Sequence, residues 1–471
     1  MTETSLIVIA PLLAAVAAAL LPSRALGVGF AATLAHLVLS VMLATGIYGN
    51  DGGQLAIGGW PTPLGIALYV DGLAALMLVM NGLVGLAVTM HAAGSPSTTR
   101  TGFWPLWLLT LAALNGLYLT SDFFNMYVAF EILGLAAVGL TILSGKTRAL
   151  RAGFDYLCAG LAGSLLVLLG VVLAYAAVDR VDLAAVPMML ATAEGQLALA
   201  LILVGLAVKA ALFPLHFWMP EAHSGAVSAA SAILSALVVK GALYVMLRVS
   251  LAGEGELVLL QLAVATFGGA AMIWGAWRAL TADRLKLLVA YSTVAQVGLI
   301  SVAIGLTRDP ASSAVWQAAA ILMLSHALAK AAMFLAVGRI AEELGHDRIS
   351  GLNRSDLRPS VSEFAFAIAA ISLIGLPPTA GFVGKWILME EMIGVGGWPW
   401  VVLLLAGTAM SVAYLVRVVS RCLRGGPHMA PNARVPALRA GDVAALLLAL
   451  SALALGALSA LPFDLLNGSI T

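Results

Sequence analysis

The chain has 471 residues, 62% of them hydrophobic and only 10% charged, with a formal net charge of +1. Soluble domains carry roughly 25% charged residues, so this is an integral membrane protein, and its near-neutral balance gives no basis for nucleic-acid binding. The two cysteines, Cys158 and Cys422, have no CxxC partner, which excludes a cysteine-ligated iron–sulfur cluster or zinc site within the chain.

A helix needs about 20 apolar residues to cross a bilayer. On that basis apolar runs predict spans near 4–21, 27–47, 67–90, 104–120, 123–143, 155–178 and 197–218 in the first half. The second half adds 226–249, 257–279, 286–306, 314–338, 361–388, 397–419 and 440–461, fourteen in all. The first run has no signal-peptide cleavage pattern and reads as a retained span. The fourth and fifth are separated at "TSDFF", where Ser121 or Asp122 can cap a new helix.

Of the 24 Lys and Arg residues, seventeen fall on one set of alternate connections. Three, Arg180, Arg248 and Arg308, fall on the other. Positive charge stays in the cytoplasm, so both termini are expected to face outward. One missed helix would scramble this asymmetry.

Four lysines remain, and all lie inside predicted spans: Lys209 in the seventh, Lys240 in the eighth, Lys330 in the eleventh and Lys385 in the twelfth. Each costs about 2.5–3.5 kcal/mol at a helix centre on insertion scales. Lys209, Lys240 and Lys330 lie roughly 12 Å from either end of their spans at 1.5 Å per residue, too far for a lysine stem to reach the headgroups. Lys385 is nearer an end, beside Glu390 and Glu391, so there snorkelling competes with a buried role. Glu131, in "NMYVAFEILGLAAVGL", is the only acid expected at mid-membrane. A buried carboxylate and a buried ammonium each keep their charge when paired, so Glu131 and Lys209 are candidate partners. Asp71 and Glu363 begin their spans and read as interfacial. His326 and Lys330 are spaced i, i+4 on one helix face, and an imidazole there can relay protons. His36, alone in the second span, reads as a packing residue. No metal-ligand spacing, phosphate loop or nucleotide fingerprint is present, so no cofactor and no metal are expected.

Two spans are interrupted. Pro214 follows Lys209 in "ILVGLAVKAALFPLHFWMP", and Pro377, Pro378 and Gly381 precede Lys385 in "ISLIGLPPTAGFVGKW". Proline removes a backbone donor and pushes against the preceding turn, and open backbone is tolerated only in a protein-lined or hydrated interior. The breaks fall on the fourth helix of two five-helix units, spans 4–8 and 9–13. Five is odd, so the second unit enters the membrane from the opposite face, which predicts an inverted repeat with its site at the breaks. The expected organisation is a three-helix segment (1–100), two five-helix repeats (101–250 and 251–425) and a C-terminal helix (426–471).

From about residue 60 to 420 the chain resembles the antiporter-like membrane subunits shared by Mrp-type cation/proton antiporters, respiratory complex I and related hydrogenases. The resemblance rests on "DFFNMYVAFEILGL", "VKAALFPLHFWMPEAHSGAVSAASAILSALVVKGALYVMLR", "DRLKLLVAYSTVAQVG", "LSHALAKAAMFLAVG" and "GLPPTAGFVGKW". It implies an all-α fold of fourteen helices in a bacterial inner membrane, with Glu131 and Lys209 as an ion pair and Lys240 as a bridging lysine. His326 and Lys330 then match the relay of the eleventh helix, and Lys385 the twelfth-helix lysine, where some branches carry glutamate. The loop "GGWPTPLGIALYVDGLAALML" is most similar to the Mrp D subunit. The resemblance implies partner membrane subunits, with protons and sodium as the ions moved. The competing reading is a proton-pumping subunit of a complex I-like or hydrogenase assembly with no redox site in this chain. A scaffold subunit that conducts nothing leaves four buried lysines without a purpose.

Overall fold

The computed structural model describes residues 2–48, 52–57, 65–95, 98, 102–253, 255–307, 314–352, 358–424, 434 and 436–467. Eleven of its helices are long and apolar enough to cross a membrane. The other expected spans are the shorter helix Phe103–Leu119 and the two interrupted ones, the seventh and the twelfth. The seventh consists of Ala193–Lys209 and Met219–Gly225, the twelfth of Val361–Ile374 and Ala380–Gly394. The chain is a multi-pass membrane protein with the all-α architecture expected. Arg100, Arg308 and Arg354, and the loop residues Gly58 to Leu64, lie outside the described residues.

Local signals set the boundaries. Asp122 caps the fifth span, its carboxylate accepting from the Asn125 N–H at 2.7 Å, and this divides it from the fourth. Glu363 reaches back to the Ser360 N–H at 2.7 Å, closing the start of the twelfth. Glycines permit close crossings of neighbouring spans. A Cβ on Gly205 would stand 2.5 Å from the Gly163 carbonyl, and one on Gly298 would press equally hard on that of Gly268. Such contacts suit helices that associate by van der Waals packing alone.

Two expectations need correction. The third span begins at Gly72, not 67, because Ile66–Val70 forms a strand, β2, paired antiparallel with β1, Gly53–Ile57. Asp71 then ends the strand by capping the helix, its carboxylate accepting from the Ala74 N–H at 2.8 Å. Asp71 begins its span as expected and is buried by the protein, and Arg248 is not a loop charge. Arg248 lies within the eighth span, Ser228–Ala252, and grips Asp71 with both guanidinium nitrogens at 2.5 Å. His36 packs as expected, its Nε2 lying 3.0 Å from Asn115 Oδ1.

Burial is uneven. The first two spans leave most of their length exposed, whereas Ser228–Ala252 and Val315–Leu344 are buried throughout and Leu285–Leu306 nearly so. These eighth, eleventh and tenth spans are the centre of the molecule, and Lys240, His326 and Lys330 are buried there.

Candidate functional site

The first part of the site is the break in the seventh span. Helix Ala193–Lys209 stops at the lysine, and Ala211 takes a left-handed conformation with φ 55°. The chain crosses Pro214 before Met219–Gly225 resumes. The Val208 carbonyl accepts from the Ala211 N–H and from Trp218 Nε1, each at 3.1 Å, and Trp218 stacks on Tyr156 with ring centroids 4.1 Å apart. Lys209 thus sits at a helix C-terminus, where the backbone dipole favours a cation. Its Nζ donates to Ser164 Oγ at 2.6 Å and lies 3.9 Å from Glu131 Oε1. The two predicted partners are brought together, but as a loose ion pair in which the closer bond goes to a hydroxyl.

The centre is built on the eighth span. Between Ser228–Ile233 and Val239–Ala252 the helix widens into a π turn, Leu234–Val238. Such turns shift backbone bonding by one residue and recur at functional sites. Lys240 is fully buried and donates to the Ser235 carbonyl within this turn, while Ser235 Oγ lies 2.8 Å from Thr293 Oγ1 of the tenth span. Lys330, also fully buried, donates to the Val289 carbonyl at 3.0 Å and to the Ser292 hydroxyl. In "YST" of the tenth span, Ser292 therefore contacts Lys330 directly, while Thr293 holds the side chain of Ser235, whose carbonyl receives Lys240.

His326 lies one turn from Lys330, and neither of its ring nitrogens has a hydrogen-bond partner among the described residues. It stands within electrostatic reach of Lys240, Lys330 and His223. His223 is not among the residues that the sequence singles out. It follows the seventh-span break, is buried, and has Nδ1 2.9 Å from the Met219 carbonyl. The signal for it is its place in "PEAHSGAVSAAS", directly after an interrupted helix and before a run of small residues.

The far end is the twelfth span. Helix Val361–Ile374 ends at Gly375, whose φ of 82° only glycine adopts readily. Lys385 reaches back across Pro377 and Pro378, donating to the carbonyls of Leu373 at 3.2 Å and Ile374 at 2.9 Å and to Thr408 Oγ1 at 3.3 Å. These carbonyls have no partner within their own helix. The side chain is buried and turned inward, so snorkelling does not describe it.

A cavity of about 460 Å³ opens on the side bearing the basic connections, lined by Lys146, Ser224, Lys286 and His346 among others. Lys286 Nζ donates to the Ala226 carbonyl at 2.9 Å, and Ser231 Oγ donates to the His223 carbonyl at 2.7 Å. The cavity floor therefore adjoins the central cluster. At the other end of the eighth span, Arg248 Nε donates to Tyr244 OH at 2.9 Å, and Tyr244 to the Tyr118 carbonyl at 2.7 Å. Among the described residues, no group of three or more His, Cys, Asp or Glu could hold a metal ion.

A family profile described as NADH:quinone oxidoreductase/Mrp antiporter, transmembrane, matches residues 120–412. The N subunit of the NADH-quinone oxidoreductase of Desulforudis audaxviator is 34% identical over 450 residues, covering 92% of this chain and 88% of that one. The D subunit of the Na(+)/H(+) antiporter of Alkalihalophilus pseudofirmus is 30% identical over 372 residues, covering 77% and 74%. In solved structures, a chain of the Mrp complex from a Dietzia species superposes with a TM-score of 0.89 at 25% identity, over 99% of this chain and 97% of that one.

Proposed function

The chain belongs to the NADH:quinone oxidoreductase/Mrp antiporter membrane family, and on that premise we propose that it is the proton-conducting subunit of a multisubunit Mrp-type sodium/proton antiporter. The observation that carries this reading is the series Lys209, Lys240, Lys330 and Lys385. Each lysine is held by hydroxyl or carbonyl oxygens, and Glu131 stands at one end. Neutral acceptors steady an ammonium without fixing its proton as a close carboxylate does. At 3.9 Å the Glu131–Lys209 pair is separable, and opening it removes the one anion that stabilises the Lys209 charge. The proton then moves toward Lys240, past His326 to Lys330, and on to Lys385. A neighbouring subunit that biases the pair drives protons along this axis, and inward flow is coupled to sodium export.

The two broken helices, each fourth in its run of five, support an inverted repeat of units 101–250 and 251–425 flanked by 1–100 and 426–471. The charge asymmetry supports a bacterial inner-membrane location with both termini outward. The second reading, a proton pump in a complex I-like assembly, is favoured by the 34% identity to an oxidoreductase N subunit.

The experiment is cation-dependent proton movement in everted vesicles carrying the complete complex. Sodium is expected to dissipate the proton gradient in the wild type, and Lys385→Ala is expected to abolish this while the complex assembles. Normal exchange by Lys385→Ala would overturn the relay. A complex that moves protons only on addition of an electron donor, indifferent to sodium, would favour the second reading.

A further inference from the structure

The thirteenth span, Trp398–Arg424, carries Thr408, Ser411 and Tyr414 three residues apart, a spacing that stacks them along one helix face. Tyr414 is fully buried and Ser411 nearly so. The Tyr414 phenol donates to Ser411 Oγ at 3.3 Å, and Ser292 and Gln296 of the tenth span face the same phenol. Ser292 is the hydroxyl that Lys330 contacts. At the opposite end of the row, Thr408 Oγ1 accepts from Lys385 at 3.3 Å. One helix thus presents hydroxyl groups at both ends of the interval between two buried lysines.

Resting on the reading of the chain as a proton conductor, we propose that Tyr414, Ser411 and Thr408 form a hydroxyl ladder that carries the proton from Lys330, by way of Ser292, to Lys385. A hydroxyl has one proton to give and two lone pairs to receive, so it can accept on one side and release on the other. An N–H bond at Lys330 breaks as an O–H bond forms at Ser292, whose own proton passes to Tyr414. The exchange repeats through Ser411 and Thr408. It ends in a new N–H bond at Lys385, which receives the proton in its neutral form. Rotation of each hydroxyl resets the row, returning those of Ser292 and Ser411 to the Val289 and Gly407 carbonyls. The longest step is from Ser411 to Thr408, one helical turn, about 5–6 Å between Cβ atoms. A water bridging that gap would take up one proton and give up another, one O–H bond forming as the next breaks. Gln296 takes no part in the transfer: its amide donates to the Leu373 carbonyl at 3.4 Å, beside Lys385, and so positions the break against the ladder. A packing role alone calls for no oxygen, since phenylalanine fills the same space without the cost of burying a hydroxyl.

The test uses everted vesicles carrying the complete complex, with assembly checked by co-purification. Tyr414→Phe and Ser411→Ala are expected to assemble and to slow cation-dependent proton movement on the order of 100-fold, as loss of a positioned proton carrier does. Ser411→Thr, which keeps the hydroxyl, is expected to retain the wild-type rate. A purely structural role for Ser411 predicts no such difference between alanine and threonine. Wild-type rates in Tyr414→Phe and Ser411→Ala, beside an inactive Lys385→Ala, would overturn the ladder and leave the proton-conducting reading intact. A fully active Lys385→Ala would overturn that reading and the ladder with it. Should Tyr414→Phe fail to assemble, equal rates in Ser411→Ala and Ser411→Thr would overturn the proposal.

Discussion

Lys209 is the residue on which the proposed mechanism turns, and substitutions there can separate charge from volume. Lys209→Met keeps the bulk and removes the charge, so it is expected to insert and assemble yet fail to transport. Glu131→Gln is expected to fail as well, because an amide offers the lysine no counter-charge. Residues acting as one unit lose one function once, so the double variant should be no slower than either single one. Lys209→Arg keeps the charge but does not release a proton near neutral pH. It should assemble and stay inactive in the vesicle assay; full activity would mean that a fixed positive charge suffices. At this scale the sequence is informative where chemistry is costly, since a lysine or glutamate in an apolar run needs a reason. It is silent where the group is ordinary. Ser164, which holds Lys209 more closely than Glu131 does, is one serine among many until the fold brings it within 2.6 Å.

Among the elements, the interrupted helices are legible because proline announces a break. The π turn at Leu234–Val238 is not, since "LSALV" reads as ordinary helix. Strand β2 is hidden for a similar reason: "IALYV" is an apolar run that continues into the third span, and its pairing with β1 is a tertiary fact. The twelfth-span break makes a prediction of its own. Gly375 combines a left-handed backbone with a site where a Cβ would stand 2.9 Å from Lys385 Cδ. Gly375→Ala therefore meets a backbone cost of roughly 1–2 kcal/mol and presses on the functional lysine. Both thermal stability in detergent and proton movement are expected to fall, and a variant unchanged in both would show that the turn tolerates a side chain.

For the whole molecule, the placement of basic residues carries the proposed orientation, because it sums over many positions and survives local error. Ser350 lies exposed between the eleventh and twelfth spans, on the side rich in positive charge. A cysteine placed there, with the exposed Cys158 replaced by serine, is expected to resist an impermeant thiol reagent in intact cells and to react in everted vesicles. Labelling from outside would invert the proposed orientation. Long-range pairings stay beyond the sequence at this scale: Asp71 and Arg248 are separated by 177 positions, and nothing local marks them as partners.

That pairing has a mechanical consequence. A bidentate guanidinium–carboxylate contact resists rotation as well as separation, so the eighth span is clamped at the end where Arg248 grips Asp71. Only a short length of rod separates the π turn from Tyr244, where the clamp begins, and Lys240 rides on it. A lever fixed at one end and slack at one joint bends at the joint. Amide hydrogens of Leu234–Val238 are accordingly expected to exchange faster than those of Tyr244–Arg248, and uniform protection along the helix would refute this. Lys240 would then change its hydrogen-bond partner through the give of a single turn, with the Asp71–Arg248 contact held fixed throughout.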